Sequence, residues 1–200
     1  MAQFNSIEKD RRLLCIMGLS GSGKTTVGNI LLANNIPKII THTTRDERIS
    51  ELDGKDYWFV SREEFAETPM IESDTYAGNL YGTSRKEIEK KFKNHNLVFE
   101  VVTYTGYQRL KYELEEKEEF CQVIPVYIKV SRETYVKRLA VRGDSLSEIQ
   151  SRIRINDAQA NEHRDPGYTI TNDMSTIIEP DPKLGISLLD QVEELIKSLS

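Results

Sequence analysis

The sequence predicts an α/β fold, with a three-layer core around a parallel sheet, an inserted β-rich lobe and a helical lid. Apolar strand-like runs alternate with amphipathic helix-like runs along most of the chain, which is typical of a parallel sheet covered on both faces. Residues 41–96 break this alternation with short β-branched and aromatic segments, which indicates an insertion. We therefore expect a core of residues 1–40, 97–136 and 162–200, an inserted lobe of residues 41–96 and a lid of residues 137–161.

Hydrophobic periodicity and turn residues place the individual elements. Capping boxes at Ser61–Glu64 and Ser145–Glu148 each start a helix, and Pro69 ends the first of these. Ala77-Gly78-Asn79 supplies the turn of a hairpin. The predicted strands are 12–17, 38–43, 57–60, 70–76, 80–82, 97–102, 122–130 and 168–171. The helix that Ser145 starts is predicted to run to residue 161, and the other predicted helices are 25–33, 84–93, 105–119 and 186–199, with a further helix that begins at Ser131.

Composition limits the classes of function. With 38% hydrophobic and 30% charged residues, the 200-residue chain has enough apolar material for a sizeable core. The net charge of −5 argues against a nucleic-acid polymer as partner, because a phosphate backbone attracts a basic surface. No apolar run approaches the roughly 20 residues of a membrane span. Cys15 and Cys121 lie in apolar runs and indicate buried free thiols, so we expect a cytoplasmic protein.

Residues Gly18–Thr25 read G-L-S-G-S-G-K-T and match the pattern G-x-x-x-x-G-K-[ST] at every fixed position. The pattern lies between a predicted strand and a predicted helix, as its mechanism requires. The glycines let backbone N–H groups turn toward an anion, Lys24 adds a positive charge for the β- and γ-phosphates, and the Thr25 hydroxyl can ligate Mg²⁺. The sequence therefore predicts a P-loop core that binds a nucleoside triphosphate.

The charged loop that follows residue 43 suggests a second anion site. Arg45 and Arg48 lie three residues apart, and Tyr57 and Tyr81 lie on nearby strands. Guanidinium and phenol groups are the donors that grip a phosphate. An open alternative is that the two arginines form surface ion pairs with neighbouring acids, namely Asp46, Glu47 and Glu51.

Further arginines follow in the predicted lid. Arg138 and Arg142 lie four residues apart on one helix, and Arg152 lies on the next, beyond Gly143-Asp144. Phosphoryl transfer needs cations where negative charge spreads in the transition state. A hinged pair of helices can bring these arginines over the phosphates.

Segments along nearly the whole chain resemble the guanylate kinase family, in the family's order and roughly its spacing. These segments are Thr43-Thr44-Arg45, Arg48, Glu51, Asp53–Tyr57, Phe59–Ser61, Ile71-Glu72, Gly78–Ser84, Arg138-Leu139, Arg142-Gly143 and Asn172-Asp173. The resemblance implies an ATP-dependent nucleoside monophosphate kinase that makes GDP from GMP by direct in-line transfer. It also implies Mg²⁺ bound with ATP, small-molecule partners (ATP with GMP or dGMP) and a monomer or homodimer.

The resemblance implies a role for each matched residue. The catalytic residues would be Lys24, Arg142 and Arg152, and Thr25 would ligate the metal. The ATP-binding residues would be Gly18, Ser20, Gly21, Ser22, Gly23, Lys24, Thr25, Thr26, Arg138 and Asn172, the last near the adenine. The GMP-binding residues would be Thr41, Arg45, Arg48, Glu51, Tyr57, Glu72, Tyr81, Thr83 and Glu100.

The chain departs from the family pattern at the end of the strand over residues 97–102. The family has Asp-x-Asp there, where only Glu100 remains as a carboxylate, and Thr105-Gly106 stands in place of a Gln-Gly pair. One alternative is therefore a kinase of the same fold with another monophosphate or a sugar phosphate as acceptor. A second alternative is a non-catalytic guanylate-kinase-like interaction module, against which the intact Lys24 and Thr25 argue.

Overall fold

The chain alternates strands and helices in a computed structural model that describes residues 10–49, 51–76, 78–141, 145–159, 167–173 and 186–199. The strands are β1 (Arg12–Gly18), β2 (His42–Thr43), β3 (Trp58–Phe59), β4 (Met70–Tyr76), β5 (Asn79–Ser84), β6 (Leu97–Val101), β7 (Gln122–Lys129) and β8 (Tyr168–Thr171). The helices are α1 (Lys24–Ala33), α2 (Arg62–Glu67), α3 (Arg85–Phe92), α4 (Tyr104–Leu110), α5 (Arg132–Val141), α6 (Leu146–Gln159) and α7 (Leu188–Ser198).

Four parallel strands form one sheet in the order β6-β1-β7-β8. β7 and β8 pair in register from Val126 opposite Tyr168 to Lys129 opposite Thr171. In β1, residues 13–17 are all buried, as expected for a strand with both faces covered. The predicted α/β class with a parallel sheet is confirmed.

A separate mixed sheet has the order β3-β2-β5-β4. β2 pairs in parallel with β3 and antiparallel with β5. β4 and β5 form the predicted hairpin, in which Tyr76 pairs with Asn79 and Met70 pairs with Ser84. These strands lie within residues 41–96, the segment predicted to be an insertion. The predicted bounds of the lobe and of the lid stay predictions.

The strand predicted over residues 38–43 is divided in the structure. Lys38 forms an isolated bridge with Phe99 of β6, and only His42–Thr43 form a strand. Between them, the backbone N–H of Ile40 donates to the buried carboxylate of Glu87 at 3.3 Å. Because a side chain accepts from this backbone donor, a regular ladder does not run through the segment.

The helix predicted over residues 105–119 is α-helical only in its first half. It begins at Tyr104, and the hydroxyl of Thr103 accepts from the N–H of Gly106 at 3.1 Å as the N-cap. From Lys111–Lys117 the backbone continues as a π-helix. Hydrophobic periodicity predicts a helical segment but does not reveal where the hydrogen-bond spacing widens.

The described residues fall into two compact units. One contains those of Met1–Cys15 and Ile36–Ile124, and the other contains those of Ile16–Asn35 and Pro125–Ser200. The fully buried side chains of the first unit include Phe99, Leu13, Leu14, Ile39, Ile88, Leu110 and Leu114. In the second unit a buried cluster of Leu19, Tyr135 and Leu139 packs against Val130, Val136, Ile149 and Ile153.

Both cysteines are buried free thiols, as predicted. Within the described ranges, no helix has the length and apolar character needed to cross a membrane.

The closing helix α7 supplies a test of local stability. The Oγ of Ser187, which is 3% exposed, accepts from the N–H of Asp190 at 3.1 Å, and the Asp190 carboxylate accepts from the N–H of Ser187 at 3.1 Å. Ser187→Ala should lower the free energy of unfolding by about 1 kcal/mol, because a first-turn N–H loses its acceptor. Urea denaturation followed by circular dichroism measures this change. Ser151→Ala, at an exposed position inside α6, is the control, and an equal loss in both variants would contradict the capping role.

Candidate active site

The phosphate-binding pattern forms the loop that connects β1 to α1. Gly23 is the N-cap of α1 and has a φ of +98°, a conformation that L side chains rarely adopt. A Cβ at this position would also collide with the amide of Asn172. The glycine therefore lets the chain turn directly into the helix, whose first turn carries Thr25 and Thr26.

Side chains hold the first half of this loop by its backbone. The Nζ of Lys24 donates to the carbonyl oxygens of Gly18 at 2.7 Å and of Leu19 at 2.9 Å. Asn156 of α6 donates from Nδ2 to the carbonyl of Ser20 at 3.0 Å, and its Oδ1 accepts from the N–H of Ser20 at 2.9 Å. Asn156 is 1% exposed, so both ends of its buried amide are satisfied by one loop residue.

Side chains of α5 and of the segment after β8 hold the second half. Arg138 donates from Nη1 to the carbonyl of Gly21 at 3.2 Å and from Nη2 to the Oδ1 of Asn172 at 3.2 Å. Asn172 in turn donates from Nδ2 to the carbonyl of Ser22 at 2.7 Å. Each carbonyl oxygen from Gly18 to Ser22 therefore accepts from a side chain. Carbonyls held in this way do not oppose an anion that the loop N–H groups bind.

The predicted donor-site residues that the structure describes lie together in one unit. Arg152 of α6 donates to the Oγ of Ser20 at 3.3 Å, which places it at the same loop. Arg142 lies outside the described residues. The proposed adenine contact of Asn172 stays a prediction, and the structure assigns its amide to the loop and to Arg138.

Asn156 is the residue of this site that the sequence analysis missed. It follows Arg152 by four residues on α6, and residues at this spacing share one helix face. That spacing is the only signal in the sequence that could have indicated it. The two hydrogen bonds between Asn156 and Ser20, together called the clasp, depend on the packing of α6 against the loop.

The two arginines of the charged loop gather around Glu51 in the other unit. Nη2 of Arg45 lies 2.8 and 2.9 Å from the two carboxylate oxygens of Glu51, and the Oε2 of Glu51 also accepts from the N–H of Arg48 at 3.1 Å. Burial by itself raises the pKa of Glu51, but the hydrogen bonds from Arg45 and Arg48 lower it below its ordinary value. The guanidinium of Arg45 lies 5.4 Å from the ring centre of Tyr57, and the rings of Tyr57 and Tyr81 meet edge to face at 6.0 Å.

This geometry confirms the ion pair of Arg45 with Glu51 that the sequence analysis left open. It also brings together the arginines and tyrosines predicted to hold a phosphate. Arg48 keeps 48% of its side chain exposed, and its guanidinium lies 3.6 Å from Glu51. Binding of a phosphate by this cluster stays a prediction.

Four further predicted residues form a buried polar cluster in the same unit, namely Thr41, Glu72, Thr83 and Glu100. The hydroxyl of Thr83 contacts the Oε1 atoms of both carboxyl groups, at 3.0 Å for Glu72. The hydroxyl of Thr41 donates to the Oε1 of Glu100 at 3.3 Å. Burial raises the pKa of Glu72, and burial together with the nearby charge of Glu72 raises the pKa of Glu100.

A glycine makes room for one of these carboxyl groups. A Cβ at Gly106 would lie 2.9 Å from the Oε2 of Glu72, so only glycine fits beside this carboxylate without a shift. Gly106 belongs to the Thr105-Gly106 pair at which the chain departs from the family pattern. The glycine of the family pair is therefore retained at Gly106, and it leaves room for the carboxyl group of Glu72.

Together, the central parallel strand, the glycine-rich turn and the helix that follows define a P-loop nucleotide-binding protein of the α/β class. A family model described as Guanylate kinase matches residues 10–178. The chain therefore belongs to the guanylate kinase family, as its resemblance predicted.

Individual relatives agree with this assignment. The chain is 32% identical to the guanylate kinase of Wigglesworthia glossinidia brevipalpis, over 96% of this chain and 98% of that relative. It is also 32% identical to the guanylate kinase of Prochlorococcus marinus, over 93% of this chain and 97% of that relative. The crystal structure of guanylate kinase from Anaplasma phagocytophilum has the same fold, with a TM-score of 0.65 at 24% identity, over 96% of this chain and 88% of that chain.

The clasp between Asn156 and Ser20 supplies a test of the loop. Asn156→Ala should weaken the binding of a non-hydrolysable ATP analogue about tenfold or more, because two backbone groups of Ser20 lose their partners and each loss costs roughly 1–3 kcal/mol. Isothermal titration calorimetry measures this affinity. Gln150→Ala, an exposed change on the same helix, is the control. Equal affinities of the Asn156 variant and the wild type would show that the clasp does not support nucleotide binding.

Proposed function

We propose that this chain transfers the γ-phosphoryl group of ATP to GMP and so produces ADP and GDP. The observation that carries the proposal is the buried Glu72, with Thr83 donating to it, in a chain that also contains a complete phosphate-binding loop. A carboxylate can accept from both the N1–H and the 2-amino group of guanine, whereas adenine presents no such pair of donors. A site built in this way rejects the wrong base, because that base leaves the buried carboxylate poorly paired. Membership of the guanylate kinase family supports the same assignment.

Basic side chains around the loop serve the phosphates of the donor. The ammonium of Lys24, which donates to two loop carbonyls, has a third hydrogen and adds positive charge for the oxygens of the β- and γ-phosphates. Arg138 and Arg152 add positive charge at the same loop. Arg142 has the same proposed role. Cations in these positions stabilise the charge that spreads over the migrating group.

The residues at the loop fit Mg²⁺ as the accompanying ion. Thr25 is exposed in the first turn of α1, and its hydroxyl oxygen is the hard donor that Mg²⁺ prefers. Among the described residues, no group of three or more His, Cys, Asp or Glu could hold a metal. Mg²⁺ usually keeps several waters and binds phosphate oxygens with one or two protein groups, which matches a single hydroxyl ligand. When bound with ATP, the ion neutralises phosphate charge.

The arginines and tyrosines around Glu51 bind the acceptor. Arg45 and Arg48 grip the phosphate of GMP, and the hydroxyls of Tyr57 and Tyr81 donate to it. Glu51 orients the guanidinium of Arg45 and does not touch the phosphate, which would repel it. Thr41, Thr83 and Glu72 read the guanine, as the resemblance to the family implies.

The chemistry is a direct in-line displacement without a covalent enzyme intermediate. The nucleophile is an oxygen of the acceptor phosphate, which is already ionised, so the reaction needs no strong general base. Positioning of the two nucleotides and neutralisation of charge account for most of the rate. We place this activity in the cytoplasm, where the two buried thiols stay reduced.

The acceptor is tested directly with purified protein, Mg²⁺ and ATP. ADP release is followed for GMP, dGMP, IMP, AMP, UMP and sugar phosphates, and GMP or dGMP should give by far the highest kcat/KM. A preference for another member of the panel would replace GMP as the acceptor. Absence of a diphosphate product from every monophosphate would overturn the kinase function and favour the interaction module.

Lys24→Ala tests the donor side. The turnover number should fall by roughly 10²–10³-fold or more, because a cation at the transferring group is lost. The protein should still fold, as judged by its far-UV circular dichroism spectrum, although two loop carbonyls lose their donor. Lys86→Ala, at an exposed position of α3, controls for loss of a lysine. Near-normal turnover of the Lys24 variant would show that the loop does not serve the reaction.

Glu72→Gln tests the reading of the base. The amide keeps the shape of the side chain but turns an N–H₂ group toward the donors of guanine, so the KM for GMP should rise about 10- to 100-fold. The KM for ATP should stay within about twofold of wild type, because the donor site is unaltered. Glu63→Gln makes the same change at an exposed position of α2 and is the matched control. An unchanged KM for GMP in the Glu72 variant would contradict the assignment.

A further inference from the structure

In the buried cluster around Thr83, two carboxyl groups share one hydroxyl. The Oγ1 of Thr83 lies 3.0 Å from the Oε1 of Glu72, and it also contacts the Oε1 of Glu100. A hydroxyl has one hydrogen and can donate to only one of these oxygens. Both contacts are hydrogen bonds only when one of the carboxyl groups is itself protonated and donates to Thr83.

The surroundings favour Glu100 as the protonated member. Its side chain has 0% exposure, and its Oε2 has no hydrogen-bond partner within the described part of the chain. An unpaired oxygen in a fully buried anion is far more costly than the unpaired carbonyl oxygen of a neutral acid. With its proton on Oε1, Glu100 donates to Thr83 and still accepts from Thr41.

Charged and titratable groups of the neighbouring elements act on both carboxyl groups, and for Glu100 the effect of Glu72 is larger than that of Lys38. Glu72 of β4 opposes ionisation of Glu100, whereas Lys38 favours it. The Nζ of Lys38, however, donates to the backbone carbonyl of Asp56 at 2.9 Å. The groups that bear on Glu72 itself are Asp74 of β4, which opposes its ionisation, and Arg109 of α4, which favours it. Burial raises the pKa of the Cys15 thiol in β1, and the nearby charges of Glu100 and Glu72 raise it further. Cys15 therefore stays a neutral thiol.

We propose that Glu100 is a neutral carboxylic acid that donates to Thr83, so that Thr83 donates to Glu72 and holds it as the anion that reads the guanine. Glu100 is thus a positioning residue for substrate selection, which acts through Thr83 and does not touch the substrate. This part of the proposal rests on the proposed function. The protonation of Glu100 in the free protein does not rest on it and can be tested separately.

The first test compares the stability of wild type and Glu100→Gln as a function of pH. Burial raises the pKa of Glu100 above its unfolded value, so the stability from the neutral acid is complete below the ordinary carboxyl range and is lost as the pH rises through the raised pKa. Glutamine cannot ionise. From about pH 5 to about pH 9, the urea midpoint of wild type should therefore fall relative to that of the variant. Glu63→Gln should run parallel to wild type.

The second test is infrared spectroscopy of the free protein at neutral pH, without any nucleotide. Wild type should show the C=O stretch of a buried protonated carboxyl, and Glu100→Gln should lack it. Absence of this band in wild type would overturn the proposal even if no variant folded. Loss of the band in Glu72→Gln but not in Glu100→Gln would overturn it as well, and so would parallel urea midpoints in the first test.

The third test concerns selection of the acceptor. Glu100→Leu, which cannot donate to Thr83, should raise the KM for GMP about tenfold or more, with little change in the KM for ATP. Glu100→Gln, whose amide can donate, should recover most of that loss. Equal losses in both variants would show that Glu100 acts through its charge and would overturn the proposal. If wild type did not phosphorylate GMP at all, the proposed function would fail, while the first two tests would still decide the protonation of Glu100.

Discussion

An anion-binding loop requires that its carbonyl oxygens be held away from the anion, and here side chains satisfy this requirement along the whole turn. Lys24 holds the first two carbonyls, and Asn156, Arg138 and Asn172 hold the next three in order. The last three side chains come from α6, α5 and the segment after β8. A buried carbonyl without a donor costs roughly 1–3 kcal/mol, so each of these contacts has a physical reason to exist even without a nucleotide. Two helices and the segment after β8 therefore all contribute side chains to one short loop.

The cluster around Glu51 answers a different requirement. Two arginines that are to meet a phosphate repel each other when no phosphate is bound, and Glu51 offsets this repulsion from a position between them. Only 15% of each side chain of the Arg45–Glu51 pair is exposed, and the two hydrogen bonds from Nη2 of Arg45 to the carboxylate fix the direction of its guanidinium. In the buried cluster around Thr83, the like charges that would repel each other are negative, namely those of Glu72 and Glu100 if both were ionised. There a proton, not a counter-ion, is the simplest way to let two adjacent carboxyl groups remain together.

Features that depend on neighbouring residues were predictable from the sequence. The phosphate loop is one, because a glycine in the left-handed region and a lysine beside it act through the local backbone. The capping box at Ser61 and the hairpin of β4 and β5 are others. The division of the segment over residues 38–43 was not predictable, because it depends on a hydrogen bond between Ile40 and Glu87, 47 residues away. The π-helix of Lys111–Lys117 likewise leaves no mark in the apolar pattern.

For the site, the sequence alone determined which residue types are present and that they match one family, since a motif and its order are properties of the chain. It placed Glu100 among the acceptor-binding residues, but only the tertiary structure showed that this carboxyl has no exposed surface and shares a hydroxyl with Glu72. Its only indication of Asn156 was the spacing of four residues from Arg152, and it did not indicate the contact with Ser20, 136 residues away. Burial and the choice of hydrogen-bond partner arise when distant elements pack, whereas propensity, capping and turn chemistry act between neighbours along the chain.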